Sequence, residues 1–65
     1  MKIQDRILTN EDVGSKVTYV PLHAKSAGDK ECENGTISSW NEKFVFVNYG
    51  TGTNKATRPE DLVWG

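Results

Sequence analysis

The chain has little of what small domains use to reinforce a thin core. Cys32 is the only cysteine and His23 the only histidine in 65 residues, so one copy cannot form a disulfide. Structural zinc takes four ligands, mostly Cys and His, and two such residues are too few. We therefore expect no metal and no cofactor, and a lone thiol favours a reducing compartment.

An excess of positive charge is also lacking. Eight Lys and Arg stand against nine Asp and Glu, which gives a formal net charge of −1. Domains that bind phosphate backbones usually carry a clear basic excess, so nonspecific nucleic-acid binding is disfavoured. A local patch of Lys43, Lys55 and Arg58 beside aromatic side chains keeps a nucleic-acid-binding barrel as an alternative.

Long apolar runs are missing as well. No stretch reaches the roughly 20 apolar residues that cross a bilayer, and residues 1–6 lack the apolar run of a signal peptide. With 35% hydrophobic and 26% charged residues the composition is that of a folded chain. We expect a cytoplasmic protein that has no contact with membranes.

Catalysis is not expected either. A His23–Cys32 pair resembles a base and its nucleophile, but a hydrolytic site also needs an orienting group, an oxyanion hole and a cleft. Glu31 and Glu33 flank Cys32 and disfavour its thiolate, which is the opposite of activation. The plainer interpretation is that Cys32 packs as a small apolar residue and that His23 orders its loop by hydrogen bonding.

What the sequence does contain is a series of short segments rich in β-forming residues. The polar stretch 22–34 reads as a long loop, and Asn41-Glu42 has the spacing of a tight hairpin turn. Five strands are predicted, at 16–20, 35–40, 43–49, 55–58 and 62–64.

Turn signals complete this plan. Thr9 or Asn10 can cap a short turn that ends at Gly14, with Val13 tucked beneath the barrel, and 59–61 has the composition of one helical turn. Residues 1–12 are either a helical turn or an edge strand. We therefore predict an all-β fold, a five-stranded SH3-like barrel at 13–65 with a short N-terminal extension at 1–12. Chromo-like and OB-type barrels are the nearest competitors.

Strand alternation separates two faces of the 43–49 segment. One face is assigned to the core, with Val17, Tyr19, Ile37, Val45, Val47, Tyr49 and Leu62. Phe44 and Phe46 then lie outside. Either the N-terminal segment covers them through Ile3, Ile7 and Leu8, or they form a partner or self-association surface with Trp40. A bulge near Ser38 or Lys43 would instead reverse the register.

Four segments, 13–24, 32–39, 43–47 and 56–63, together resemble a group of short uncharacterised proteins of tailed phages and prophages. The likeness lies between residues 13 and 64, and it implies a phage origin and expression in the cytoplasm of a bacterial host. It supplies no catalytic or ligand-binding residues. The expected function is a small accessory binding module with a protein partner; the alternatives are a nucleic-acid-binding barrel and a structural homo-oligomer or virion component.

Overall fold

The computed structural model describes residues 1–21 and 32–65, and these are almost entirely β-structure. The strands are β1 (Lys2–Ile3), β2 (Arg6–Ile7), β3 (Lys16–Tyr19), β4 (Glu33–Trp40), β5 (Val45–Asn48), β6 (Asn54–Thr57) and β7 (Leu62–Trp64). A first 3₁₀ turn spans Asn10–Asp12 and a second spans Pro59–Asp61. Residues 22–31, which hold His23 and most of the predicted long loop, lie outside the described residues, and β4 begins two residues before its predicted start.

Five of the strands form one antiparallel sheet in the order β6–β5–β4–β3–β7. Successive strands from β3 to β6 are neighbours, and β7 returns to pair with β3 after the second 3₁₀ turn. The predicted all-β class is confirmed, and the five strands of this sheet lie close to the five predicted segments. Strands β6 and β7 are the two edges of this sheet.

The β4–β5 hairpin is closed by the side chain of Asn41. Its Oδ1 accepts hydrogen bonds of 2.8 Å from the backbone N–H groups of Lys43 and Phe44. The backbone N–H of Asn41 donates to the Phe44 carbonyl at 2.9 Å. The register shifts between Ile37 and Ser39, where a bulge was foreseen near Ser38. The shift does not reverse the faces, because Val45 still points inward.

Among the described residues, the core consists of seven buried hydrophobic residues, Ile3, Leu8, Val17, Ile37, Val45, Val47 and Leu62. Five of them were predicted as core, and Tyr19 and Tyr49 pack against the cluster while partly exposed. Ile3 and Leu8 are the two core residues that the sequence does not predict. The N-terminal extension therefore shares the core of the sheet instead of lying over its surface.

Of the two alternatives for residues 1–12, a strand forms at β1 and at β2, although not as an edge of the five-stranded sheet, and Asn10–Asp12 is the first 3₁₀ turn. β1 and β2 form a two-stranded hairpin, in which Gln4 takes a φ of 53°. Trp64 on β7 fastens this N-terminal hairpin, since its indole Nε1 donates to the Ile3 carbonyl at 3.1 Å. The Arg6 guanidinium lies 4.3 Å from the centre of the same indole ring, a cation–π contact.

The carboxylate of Asp12 joins the hairpin to the first 3₁₀ turn. Asp12 is 1% exposed, its Oδ1 is paired with the Arg6 guanidinium, and its Oδ2 accepts from the Thr9 N–H at 2.8 Å. Both oxygens are therefore satisfied. The predicted exit at Gly14 is confirmed by its φ of 88°. The predicted burial of Val13 is wrong: it is 52% exposed, because Ile3 and Leu8 fill the core instead.

Replacing Asp12 with Ala should lower the free energy of unfolding by about 1–3 kcal/mol, because it removes a buried acceptor that serves both the turn and Arg6. Urea unfolding monitored by tryptophan fluorescence measures the change. Glu11→Ala, which removes the exposed neighbouring carboxylate, is the matched control and should cost under about 0.5 kcal/mol. Equal losses in both variants would contradict a specific role for Asp12.

A side chain at Gly35 on β4 would collide with residues of β5. A Cβ at this position would lie 2.6 Å from Val47 Cγ1 and 2.8 Å from the Asn48 carbonyl oxygen. We expect Gly35→Ala to destabilise the fold by about 1–3 kcal/mol through overpacking, as measured by thermal or urea unfolding. Ser39→Ala, at an exposed position of the same strand, should be nearly neutral; a neutral Gly35→Ala would show that the strands separate freely.

Candidate functional site

The structure does not bring the three predicted contact residues onto one face. Directly opposed residues of an antiparallel pair share a face, and Ser39 opposes Phe46 whereas Trp40 opposes Val45. Since Val45 is fully buried, Trp40 lies on the core side, where it packs half-buried against the cluster. Phe46 is on the outer side.

Phe46 lies on the outer side of β5, and strand alternation places Phe44, which directly precedes β5, on the same side. Phe44 is 36% exposed and Phe46 is half-buried. The N-terminal hairpin, the candidate cover for them, packs chiefly against β7 and the second 3₁₀ turn through β1, and its Ile7 is 62% exposed. The outer aromatic pair, Phe44 with Phe46, is therefore the part of the predicted surface that faces away from the core.

The three cations of the nucleic-acid alternative are all exposed but do not form one stripe. Lys43 is in the β4–β5 turn. Lys55 opposes Val47 on β6, and the Arg58 guanidinium is bound to Asp61. The structure thus separates Lys43 from the other two, which both border a groove.

This groove has a volume of about 370 Å³ and was not foreseen from the sequence. It is lined by Tyr19, Glu33, Tyr49, Lys55, Ala56, Thr57, Arg58 and Asp61. Four of these residues are consecutive, at 55–58. Because successive strand side chains point to opposite faces, consecutive lining residues mean that the edge of β6, and not one of its faces, borders the groove. We call it the β6 groove.

Two tyrosines form the opposite wall. The rings of Tyr19 and Tyr49 meet edge to face, with centroids 6.5 Å apart and planes inclined at 71°. The hydroxyl of Thr57 donates to the Lys55 carbonyl at 3.3 Å, so the Tyr49 hydroxyl, 2.9 Å from Thr57 Oγ1, acts as the donor to it. This chain of hydroxyls ties the aromatic wall to β6.

Asp61 supplies the one buried side-chain oxygen that lacks a hydrogen bond within residues 1–21 and 32–65. The residue is 5% exposed. Arg58 donates through both Nε and Nη2, each at 2.9 Å, to Oδ2 alone, which leaves Oδ1 without a donor. The bond to Asp61 raises the pKa of Arg58. Buried polar atoms are nearly always paired, so the unpaired oxygen makes Asp61, which lines the groove, a candidate for contact with a ligand.

A second groove, of about 520 Å³, runs past Lys16, Gly35, Asn48 and the chain end at Gly65. It has a single charged lining residue, and its lining lacks any buried unpaired polar atom of the kind found at Asp61. Among the described residues, no three His, Cys, Asp or Glu side chains lie close enough together to hold a metal ion. No helix in the same residues is long and apolar enough to span a membrane. Cys32 is half-buried.

Burial raises the pKa of Tyr49, and the negative charges of Glu33 and Asp61 act in the same direction. The folded chain then holds the phenol proton to a higher pH than the unfolded chain, whose tyrosines ionise near pH 10. The free energy of unfolding should therefore fall as pH rises above about 10. Tyrosinate absorbance and urea unfolding at alkaline pH measure both effects. Tyr49→Phe should lose the late-titrating phenol and flatten the decline; an unchanged titration would contradict the assignment.

Comparison of the chain with protein-family models, with curated protein sequences and with solved structures gives no significant match. The resemblance to short phage and prophage proteins therefore stays a prediction.

Proposed function

We propose that the chain is a small accessory binding module for a protein partner, which it contacts through the outer aromatic pair. The observation that carries this proposal is the partial exposure of two neighbouring aromatic side chains: Phe46 lies on the side of β5 that faces away from the core, and Phe44, which directly precedes β5, is 36% exposed. The proposed setting, a bacterial cytoplasm during phage infection, and the closed SH3-like barrel follow from the sequence arguments alone.

The neighbours of Phe46 favour contact with a partner. Across the sheet its ring is flanked by Ser39 on β4 and Ala56 on β6. Both side chains are small, so neither cross-strand neighbour covers the ring. Aromatic side chains that a small domain leaves partly exposed are typical of interaction surfaces, where they supply most of the buried contact area.

Nucleic-acid binding is the weaker candidate. Stacking on Phe44 with phosphate contacts from nearby cations requires those cations to follow one path beside the ring. The Arg58 guanidinium forms an ion pair with Asp61, and Lys55 lines the β6 groove. With a net charge of −1 over the whole chain, the surface offers little general attraction for a polyanion.

The double variant Phe44→Ser/Phe46→Ser should abolish partner capture while lowering the free energy of unfolding by about 1–2 kcal/mol. Two fully buried phenylalanines would cost at least about 3–5 kcal/mol. The measurements are urea unfolding and affinity capture of the tagged chain from a bacterial lysate, read by mass spectrometry.

Ile7→Ser is the matched control, since Ile7 is 62% exposed on the N-terminal hairpin, away from the aromatic pair, and it should leave capture intact. A parallel capture from nuclease-treated lysate separates the alternatives. Recovery that disappears with nuclease would contradict the protein-partner proposal and favour nucleic acid, and capture that persists in the double variant would remove the aromatic pair from the interface.

A further inference from the structure

We propose that the partner contributes an extended segment, which pairs with the free edge of β6 and places one Lys or Arg side chain in the β6 groove. This inference rests on the proposed function in that it names the element by which a protein partner binds. It concerns a different surface, however, so the two can fail separately.

The first step of the argument is the open edge. Within the described residues β6 pairs with β5 and with no other strand. In an antiparallel pair, alternate residues turn their N–H and C=O groups away from the neighbour. An edge of this kind is complemented by the backbone of another extended chain, which gives affinity through main-chain hydrogen bonds, while pockets for alternate side chains give specificity.

The second step is the position of the β6 groove. The consecutive residues 55–58 all border the groove. A strand added to β6 would therefore run along the groove, and every second side chain of that strand would point into it. Its other side chains would lie beside Ala56, next to Phe46. One added strand therefore brings the partner into contact with both the groove and the outer aromatic pair.

The third step is the chemistry of the groove. Asp61 Oδ1 is buried and lacks a donor, and the exposed Glu33 adds a second carboxylate beside the two tyrosine rings. Arg58 binds Asp61 through Oδ2 alone, so Oδ1 keeps its capacity to accept a hydrogen bond. The two carboxylates share the groove lining with two cations, Lys55 and Arg58. A Lys or Arg side chain supplies both the missing N–H donor and the positive charge.

A second copy of this chain is a poorer occupant. Antiparallel pairing of two short β6 strands would bring the Lys55 side chains of the two copies close together, and lysine on an edge strand is a device that opposes such pairing. A different chain need not carry a lysine opposite Lys55, and its own cation would meet the carboxylates of Glu33 and Asp61 in the groove.

The test is a titration of the isotope-labelled full chain, followed by amide chemical shifts, with three blocked peptides. The first is Thr-Val-Thr-Lys-Thr-Val-Thr, and the others have Gln or Glu in place of the central Lys. We expect the Lys peptide to bind about tenfold tighter than the Gln peptide and the Glu peptide to bind least. Amide hydrogen exchange in residues 54–57 should slow on binding.

Glu33→Gln should remove most of the preference for Lys. Its matched control is Glu42→Gln, which makes the same charge change at the exposed β4–β5 turn and should leave the preference intact. Equal binding of the Lys and Gln peptides, or tighter binding of the Glu peptide, would overturn the inference. Dimerisation of the free chain seen by light scattering, with slowed exchange in 54–57, would overturn it in favour of a second copy.

The outcomes also separate this inference from the proposed function. If capture depends on Phe44 and Phe46 but the Lys peptide leaves residues 54–57 unperturbed, the aromatic surface stands and strand addition is wrong. If the Lys peptide slows exchange in 54–57 while capture is indifferent to the two phenylalanines, strand addition stands and the proposed aromatic contact is wrong.

Discussion

The carboxylate of Asp12 is the constraint on which the thin core depends. A domain of this size buries only about 60% of the surface that its unfolded chain exposes, and two of its seven core residues, Ile3 and Leu8, come from the N-terminal hairpin and the residue after it. The hairpin has only two residues per strand and cannot be stable alone. Asp12 holds it from one side through Arg6, and Trp64 holds it from the other.

The distance along the chain between contacting residues explains which parts of the fold the sequence predicts. β3 to β7 carry local signals, such as the β-branched runs, the turn residues at Asn41 and the proline of the second 3₁₀ turn, and each element forms close to its expected place. The hairpin at residues 1–8 carries no comparable signal. Its position is decided by Trp64, some sixty residues away, and a contact of that range has no local pattern. Val13 was misplaced for the same reason.

The candidate site also has a part that the sequence predicts and a part that it does not. Alternation along β5 correctly predicts that Val45 and Val47 face inward and that Phe46 faces outward. Trp40 could not be placed by alternation alone, because its position relative to Phe46 depends on the β4–β5 register, which shifts at a bulge that the spacing of apolar residues does not fix. The β6 groove is less predictable still. Its walls come from β3, β4, β6 and the second 3₁₀ turn, and the residues that make it unusual, Glu33 and Asp61, read as ordinary surface acids in the sequence.

The two edge strands of the sheet, β7 and β6, differ in what lies beside them. At β7 the N-terminal hairpin lies against the strand, with the Trp64 N–H donating to Gln4 and its indole to Ile3. Within the described residues no second strand pairs with β6, and this edge is protected by its short length and by Lys55, which discourages pairing with a like strand. The fold thus uses its N-terminal residues on one edge and leaves the other beside a groove lined by two tyrosines, two carboxylates and two cations. Lys55 and the unpaired Oδ1 of Asp61 both belong to residues that line this groove, so the strand addition proposed above depends on the two together.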